Sequence, residues 1–148
     1  MILEGQFTIP APQQSVWSAV WDVPTLASWV PGCTSAEQVD ATTYRAHLEQ
    51  QVGFLKAGFD LLLTVQETVE PSRIRLHAEG EDRKIRSNVQ AEILVELEPT
   101  PEGTLLRYHN DVSVLGRLGA LGFPLIQRKA REIEAEFARR ARAGLAGG

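Results

Sequence analysis

A chain of 148 residues with 43% hydrophobic content is long enough to bury one real core and too short to argue for a second domain. Its 19 acidic and 15 basic residues leave a net charge of −4, without the overall basic field that nucleic-acid binders use. A single cysteine excludes an internal disulfide, the opening "MILEGQFTIPAP" lacks the basic n-region and long apolar run of a signal peptide, and no stretch reaches the roughly 20 apolar residues of a bilayer span. The expected setting is therefore the reducing cytoplasm.

Residues Ile2 to Ile9 read as a first strand. "PAPQQSVWSAVWD" then reads as a helix with Pro12 near its first position and an apolar stripe of Val16, Trp17, Val20 and Trp21. Pro24 opens a second, shorter helix carrying Leu26, Trp29 and Val30, and the Pro31-Gly32 pair ends it.

From residue 36 to 113 the apolar period becomes two, interrupted at "VDATT", "VGFLK", "EPS" and "EPTPEG", which is the pattern of an antiparallel meander. Over residues 56–69 the alternation places Ala57, Phe59, Leu61, Leu63, Val65 and Val69 on one dry face. Ile74, Leu76 and Ala78 continue it, as do Val89 to Leu97 and Leu106 to Val114 in alternation. After residue 113 a helical period returns through Leu118, Leu121, Leu125, Ile126, Ala130, Ile133, Phe137 and Ala141, with a kink or restart expected at Gly122-Phe123-Pro124.

The order of strand, two short helices, long meander and long C-terminal helix is α+β, a helix-grip arrangement with a curved antiparallel sheet of about seven strands. One domain over residues 1–143 follows, with 144–148 as the start of a flexible tail. A curved sheet wrapped on one helix need not pack solid. An empty apolar void of about 400 Å³ would cost several kcal/mol at roughly 24 cal/mol per Å³, so a void of that kind is expected to hold a ligand.

Several stretches, in this order and spacing, carry a resemblance over nearly the whole chain: "PAPQQSVW", "WDVPTLASWVPGCTSAE", "VGFLKAGFD", "LEPTPEGTLLRY" and "DVSVLGRLGALG". They resemble the CoxG family, the G subunit of carbon monoxide dehydrogenases, within the START/Bet v 1-like superfamily. The resemblance implies a helix-grip fold with an internal hydrophobic cavity, an accessory role beside a molybdenum hydroxylase at the membrane, and no catalytic residues. Two departures stand out: "AEGEDRKIRSN" has only Gly80 where a glycine-rich run is expected, and Pro124 falls inside "GRLGALGFPLI". The ending "RAGLAGG" reads as the beginning of a linker toward a membrane-reaching tail.

Cys33 is the one candidate nucleophile, but no base accompanies it: His47, His77 and His109 alternate with apolar neighbours and are expected in solvent on the outer face. Nor do the histidines show paired metal-ligand spacing. Glu49, Glu67, Glu79, Glu92, Glu96 and Glu98 take the outward register, leaving general acid/base chemistry without a carrier. Gln50 and Asn110 take the inward register, where an amide must either be satisfied structurally or face a ligand.

The expected ligand wall comprises Trp17, Leu26, Trp29, Gln50, Phe54, Phe59, Leu61, Leu63, Tyr108, Asn110, Val112, Leu118, Leu121, Phe123 and Leu125. Trp29 and Phe123, beside Pro or Gly breaks, are expected at the opening, with Leu26, Trp29 and Val30 forming a lid that Cys33 anchors. Between residues 128 and 142, six basic residues face three acidic ones, a net of +3, with Arg128–Glu132 as an expected i,i+4 pair and anionic lipid as a second use.

The function expected from these readings is a non-enzymatic carrier of a hydrophobic molecule. A respiratory quinone or similar lipid is the expected ligand, and the carrier would serve a molybdenum hydroxylase at the inner face of the cell membrane, with no metal, covalent cofactor or nucleic acid. The alternatives are a cyclase- or hydrolase-like enzyme of the same superfamily and a recruitment adaptor without a ligand.

Overall fold

Proline and the switch in apolar period decide where each element begins and ends. The computed structural model describes residues 1–145. Strand β1 (Ile2–Ile9) leads into α1 (Gln13–Trp21) and α2 (Val23–Trp29). Six strands follow: β2 (Cys33–Gln38), β3 (Thr43–Val52), β4 (Leu55–Val69), β5 (Arg73–Asp82), β6 (Ser87–Thr100) and β7 (Gly103–Gly116). A 3-10 turn (Gly119–Leu121) precedes the closing helix α3 (Phe123–Leu145).

Pro12 caps α1 in an extended conformation, and Pro24 sits in the first turn of α2, where its missing N–H is not needed. Pro124 is the second residue of α3 for the same reason, so the expected interruption is a restart, with Gly122 at φ 93° between the 3-10 turn and the helix. Residues 144 and 145 continue α3, which corrects the expected domain boundary at 143. A Cβ on Gly144 would lie 2.8 Å from Trp29 Nε1, so this position packs under the indole instead of opening a tail. Residues 146–148 of that expected tail lie outside the described residues.

The seven strands form one antiparallel sheet in the order β1-β7-β6-β5-β4-β3-β2. Inward register runs across it from Leu3, opposite Asn110, through Ile93 and Leu76 to Val65, and one step along from Ala78 through Leu63 to Tyr44. One expectation fails at the end of β4. The register shifts between Val65 and Glu67, so the extra residue sets Thr68 opposite Ile74 and turns Val69 outward, where it is 44% exposed.

A turn at residues 83–86, absent from the expected connections, joins β5 to β6. Arg86 is left-handed there (φ 49°), and Gly116 opposite it (φ 85°) has no room for a side chain: a Cβ would meet Arg86 O at 1.9 Å.

Helix α3 docks through its basic residues as well as its apolar stripe. Arg142 Nε donates to Thr8 O (2.9 Å), Arg131 Nη1 to Glu4 O (2.7 Å) and Arg140 Nη1 to Ser28 O (3.2 Å). Phe137 meets Phe7 and Trp29 edge-on, each at 5.9 Å between ring centroids. These contacts hold the helix to β1 and α2 at one side of the sheet.

Candidate ligand-binding interior

The apolar side chains divide into three groups along the grip. At one end Ile9, Val16, Trp17, Trp29, Leu97 and Leu106 are buried with Ala141 of α3. At the other end Val52, Leu55, Phe59, Ile85 and Leu118 are buried, with Leu121 and Leu125 packed against them. Between them Ala78, Ala91 and Val112 form a group whose packed neighbours, including Leu3, Leu63, Leu76 and Ile93, all lie on strands. Small side chains at 78 and 91 thin the wall there, and Gly80 follows them on the same register. No α3 side chain belongs to this middle group among the described residues. The centre of the inner face is an apolar wall, half-buried at Leu61, Leu63, Leu76 and Ile93, to which the long helix contributes no apolar side chain of this group among the described residues.

The expected ligand wall therefore separates into parts. Leu61, Leu63, Tyr108, Asn110 and Val112 share the inner face of the sheet, while Phe59, Leu118, Leu121 and Leu125 close one end. Trp17 and Leu26 belong to the packed core of the opposite end. Trp29 does not stand at an opening: it is 4% exposed and wedged between Phe137 and Gly144. This corrects the lid reading, because α2 is stapled to α3 through Trp29 and through the Arg140 bond to Ser28. Trp29→Ala should consequently lower stability by roughly 3–5 kcal/mol, the cost of a large buried aromatic, as read by denaturant unfolding. A variant that unfolds at the parent's midpoint would restore the lid.

Phe54 and Phe123 also leave the expected wall, at 79% and 41% exposed. Phe54 sits at the β3–β4 turn and Phe123 at the first residue of α3, both beyond the packed end.

The two inward amides have different fates. Gln50 Nε2 donates to Pro31 O at 2.6 Å and lies over Gly32, whose left-handed backbone (φ 84°) admits no side chain beside Glu49 O. Gln50 therefore clamps the turn after α2. Asn110, opposite Ile93 and Leu3, has a buried Oδ1 with no hydrogen-bond partner. An unpartnered buried amide oxygen costs free energy unless something supplies a donor.

Beside it lies a polar corner that the sequence reading missed. The Tyr108 hydroxyl donates to Glu134 Oε1, and Arg131 Nη1 reaches the same oxygen at 3.3 Å. Gly5 makes the space, since a Cβ there would meet Glu134, Tyr108 and Arg131 together. Burial first, then the Glu134 carboxylate, holds the Tyr108 hydroxyl above the usual tyrosine range, so it stays protonated. Glu134 is thus an acidic residue turned inward. Its signal was present in the helical spacing, because it falls within the stripe of Ala130, Ile133, Phe137 and Ala141. With two donors on one oxygen, it is built as an acceptor that positions Tyr108.

The histidines occupy the outer face as the register predicts, yet none stands alone. His47 Nδ1 lies 2.8 Å from Asp60 Oδ1, His77 Nδ1 2.5 Å from Glu92 Oε1, and His109 Nδ1 2.8 Å from Glu4 Oε2. Each pair is directly opposed across neighbouring strands. Hydrogen bonding to Asp60 raises His47 above its ordinary value, and bonding to Glu92 does the same for His77.

A concavity of about 630 Å³ opens on this face over Gly58, lined by His47, Asp60, Glu81 and Lys84. Its charged walls do not suit an apolar ligand. Cys33 donates weakly to Ser35 O at 3.4 Å and has a local structural role.

On α3 the expected Arg128–Glu132 pair is replaced by Lys129–Glu132 at 3.4 Å. Arg139 and Arg140 converge on Glu136, and their hydrogen bonds, Arg139's first, pull its carboxyl down to about 2.

The family profile of the carbon monoxide dehydrogenase G subunit (CoxG) matches residues 5–145. The chain belongs to the CoxG family. Solved structures share its fold. A conserved protein from Geobacillus kaustophilus has a TM-score of 0.90 at 24% identity, covering 99% of this chain and 95% of that one. A START superfamily protein from Mycobacterium smegmatis has a TM-score of 0.72 at 15% identity, covering 98% and 97%. A protein from Chromobacterium violaceum has a TM-score of 0.74 at 16% identity, covering 99% of both chains. No curated protein matches the chain. At these identities the structural likenesses establish the helix-grip fold of this CoxG-family protein, and the profile match establishes that its family is one of accessory subunits.

Proposed function

We propose that this CoxG-family protein is a non-enzymatic carrier that holds a respiratory quinone or similar apolar lipid against the apolar centre of its sheet. It would serve a molybdenum hydroxylase of the carbon monoxide dehydrogenase type at the inner face of the cell membrane. The observation that carries the reading is the middle wall itself: Leu63, Leu76 and Ile93 pack against Ala78, Ala91 and Val112 in an apolar group built from strand residues alone among the described residues. Such a surface gains from an apolar occupant.

Asn110 supports a ligand with a polar head, since its amide supplies the hydrogen-bonding group on an otherwise apolar wall. The occupied state of Glu134 favours carriage over a cyclase or hydrolase reaction, which would need a carboxylate free to exchange a proton.

The test is thermal unfolding in the presence of quinones of increasing isoprenoid length. A ligand at about 100 times its Kd adds about 2.7 kcal/mol to the folded state, so the midpoint should rise with quinone concentration. An unchanged midpoint, together with no lipid recovered on organic extraction of the purified protein, would exclude carriage.

A further inference from the structure

Charge is sorted along the long axis of the grip, although the chain as a whole is acidic. At the end where the β3–β4 turn, the β5–β6 turn and the start of α3 pack around Ile85 and Leu118, residues 52–56, 83–88 and 115–129 contain seven of the fifteen Lys and Arg and none of the nineteen Asp and Glu. The β5–β6 turn carries Arg83, Lys84 and Arg86, with Lys56 entering β4, Arg117 leaving β7, and Arg128 and Lys129 on α3. Only Arg83, with Glu81, and Lys129, with Glu132, form ion pairs among the described residues. The turns at the opposite end carry Asp22, Asp40, Glu70 and Glu102 and no basic residue.

The basic end also exposes large apolar side chains: Phe54 at 79%, Leu115 at 58% and Phe123 at 41%. A protruding aromatic at an end where five cations form no ion pair among the described residues is costly in water. It fits an interface whose surface is anionic and whose interior is hydrocarbon. A soluble acidic partner would satisfy the cations but leave Phe54 without an apolar layer to enter.

We infer that this end is a docking tip that seats on an anionic bilayer, with Phe54 entering the headgroup boundary while Lys84, Arg86 and Arg117 bind lipid phosphates. The acidic end then points away from the membrane, and the basic residues of the second half of α3 remain clamps within the protein. This inference rests on the membrane-side role proposed above and not on the identity of the ligand.

The experiment is co-sedimentation of the purified chain with vesicles of phosphatidylcholine alone or mixed with phosphatidylglycerol, at low and high salt. Binding should require phosphatidylglycerol and weaken as salt rises. Lys84→Gln and Arg117→Gln should each weaken it roughly fivefold. Phe54→Ser should also weaken it, at low and high salt alike, while Arg139→Gln leaves it unchanged. Circular dichroism checks that each exposed-site variant is folded.

Equal binding to both vesicle types, parent-level binding by all three tip variants, or an Arg139→Gln loss as large as theirs would overturn the inference. So would tighter binding to duplex oligonucleotide than to vesicles. Retained quinone stabilisation with no vesicle binding would overturn the docking tip and leave the carrier reading standing.

Discussion

Leu63→Trp is expected to abolish stabilisation by an apolar ligand while leaving the sheet folded. Leu63 lies on β4 opposite Tyr44 on one side and Ala78 on the other, at the border of the middle wall. An indole there adds volume beside the small side chains of Ala78 and Ala91, on the wall where the proposed ligand sits. In a solid core such an enlargement would strain neighbours by about 1–3 kcal/mol. On a wall that holds a ligand the ring has somewhere to go, and the apo protein should lose less than that. The combined measurement is the unfolding midpoint of parent and variant with and without quinone. A variant still stabilised by quinone as strongly as the parent would remove the middle wall from the binding site.

The second large effect is expected at Asp82, which is 7% exposed on the inward register of β5. Its Oδ2 accepts from Gly58 N at 2.7 Å, and its Oδ1 accepts from Lys84 N at 2.9 Å and Ile85 N at 3.4 Å. The neighbouring Ser87 hydroxyl accepts from Leu118 N at 2.9 Å, so this pair ties the β5–β6 turn to β4 and to the segment before α3. Asp82→Ala leaves these backbone donors without their carboxylate and should cost roughly 3 kcal/mol at neutral pH.

The same bonds, Gly58's first, hold the Asp82 carboxyl below its ordinary 3.8. A depressed folded value stabilises the protein above the unfolded value, and that contribution fades as pH falls through the folded one. The gap between parent and Ala variant should therefore be full at pH 7 and narrow as pH falls below 3.8 and on through the lower folded value. A gap of the same size at pH 7 and pH 3 would show that lost packing, not the carboxylate, sets the cost.

Element order, the inward and outward faces of most strands and the restart before α3 were legible in the chain, because apolar period and proline act over a few residues. The period-two runs at Leu61, Leu63 and Val65 and the alternation around Asn110 fixed their own faces. Val69 escaped that logic, since a bulge is a mismatch between two strands and neither strand shows it alone.

The division of the amides was likewise tertiary. Gln50 and Asn110 read alike in sequence, and only the approach of Pro31 O to one of them leaves the other unpartnered. Trp29 and Phe54 reversed their expected places for a related reason. Burial depends on what arrives from elsewhere in the chain: Phe137 and Gly144 arrive at Trp29, whereas the hairpin carries Phe54 beyond every neighbouring element.

The charge-sorted tip is the clearest case of this kind. Each of its three segments is ordinary alone, and their basic residues act together because the antiparallel sheet returns the chain to the same end every second strand. Composition determined that the chain would carry a net negative charge. Only the folded topology decided that its positive charge and its exposed aromatics would meet at one end, because adding charges over a surface requires distances that a sequence does not contain.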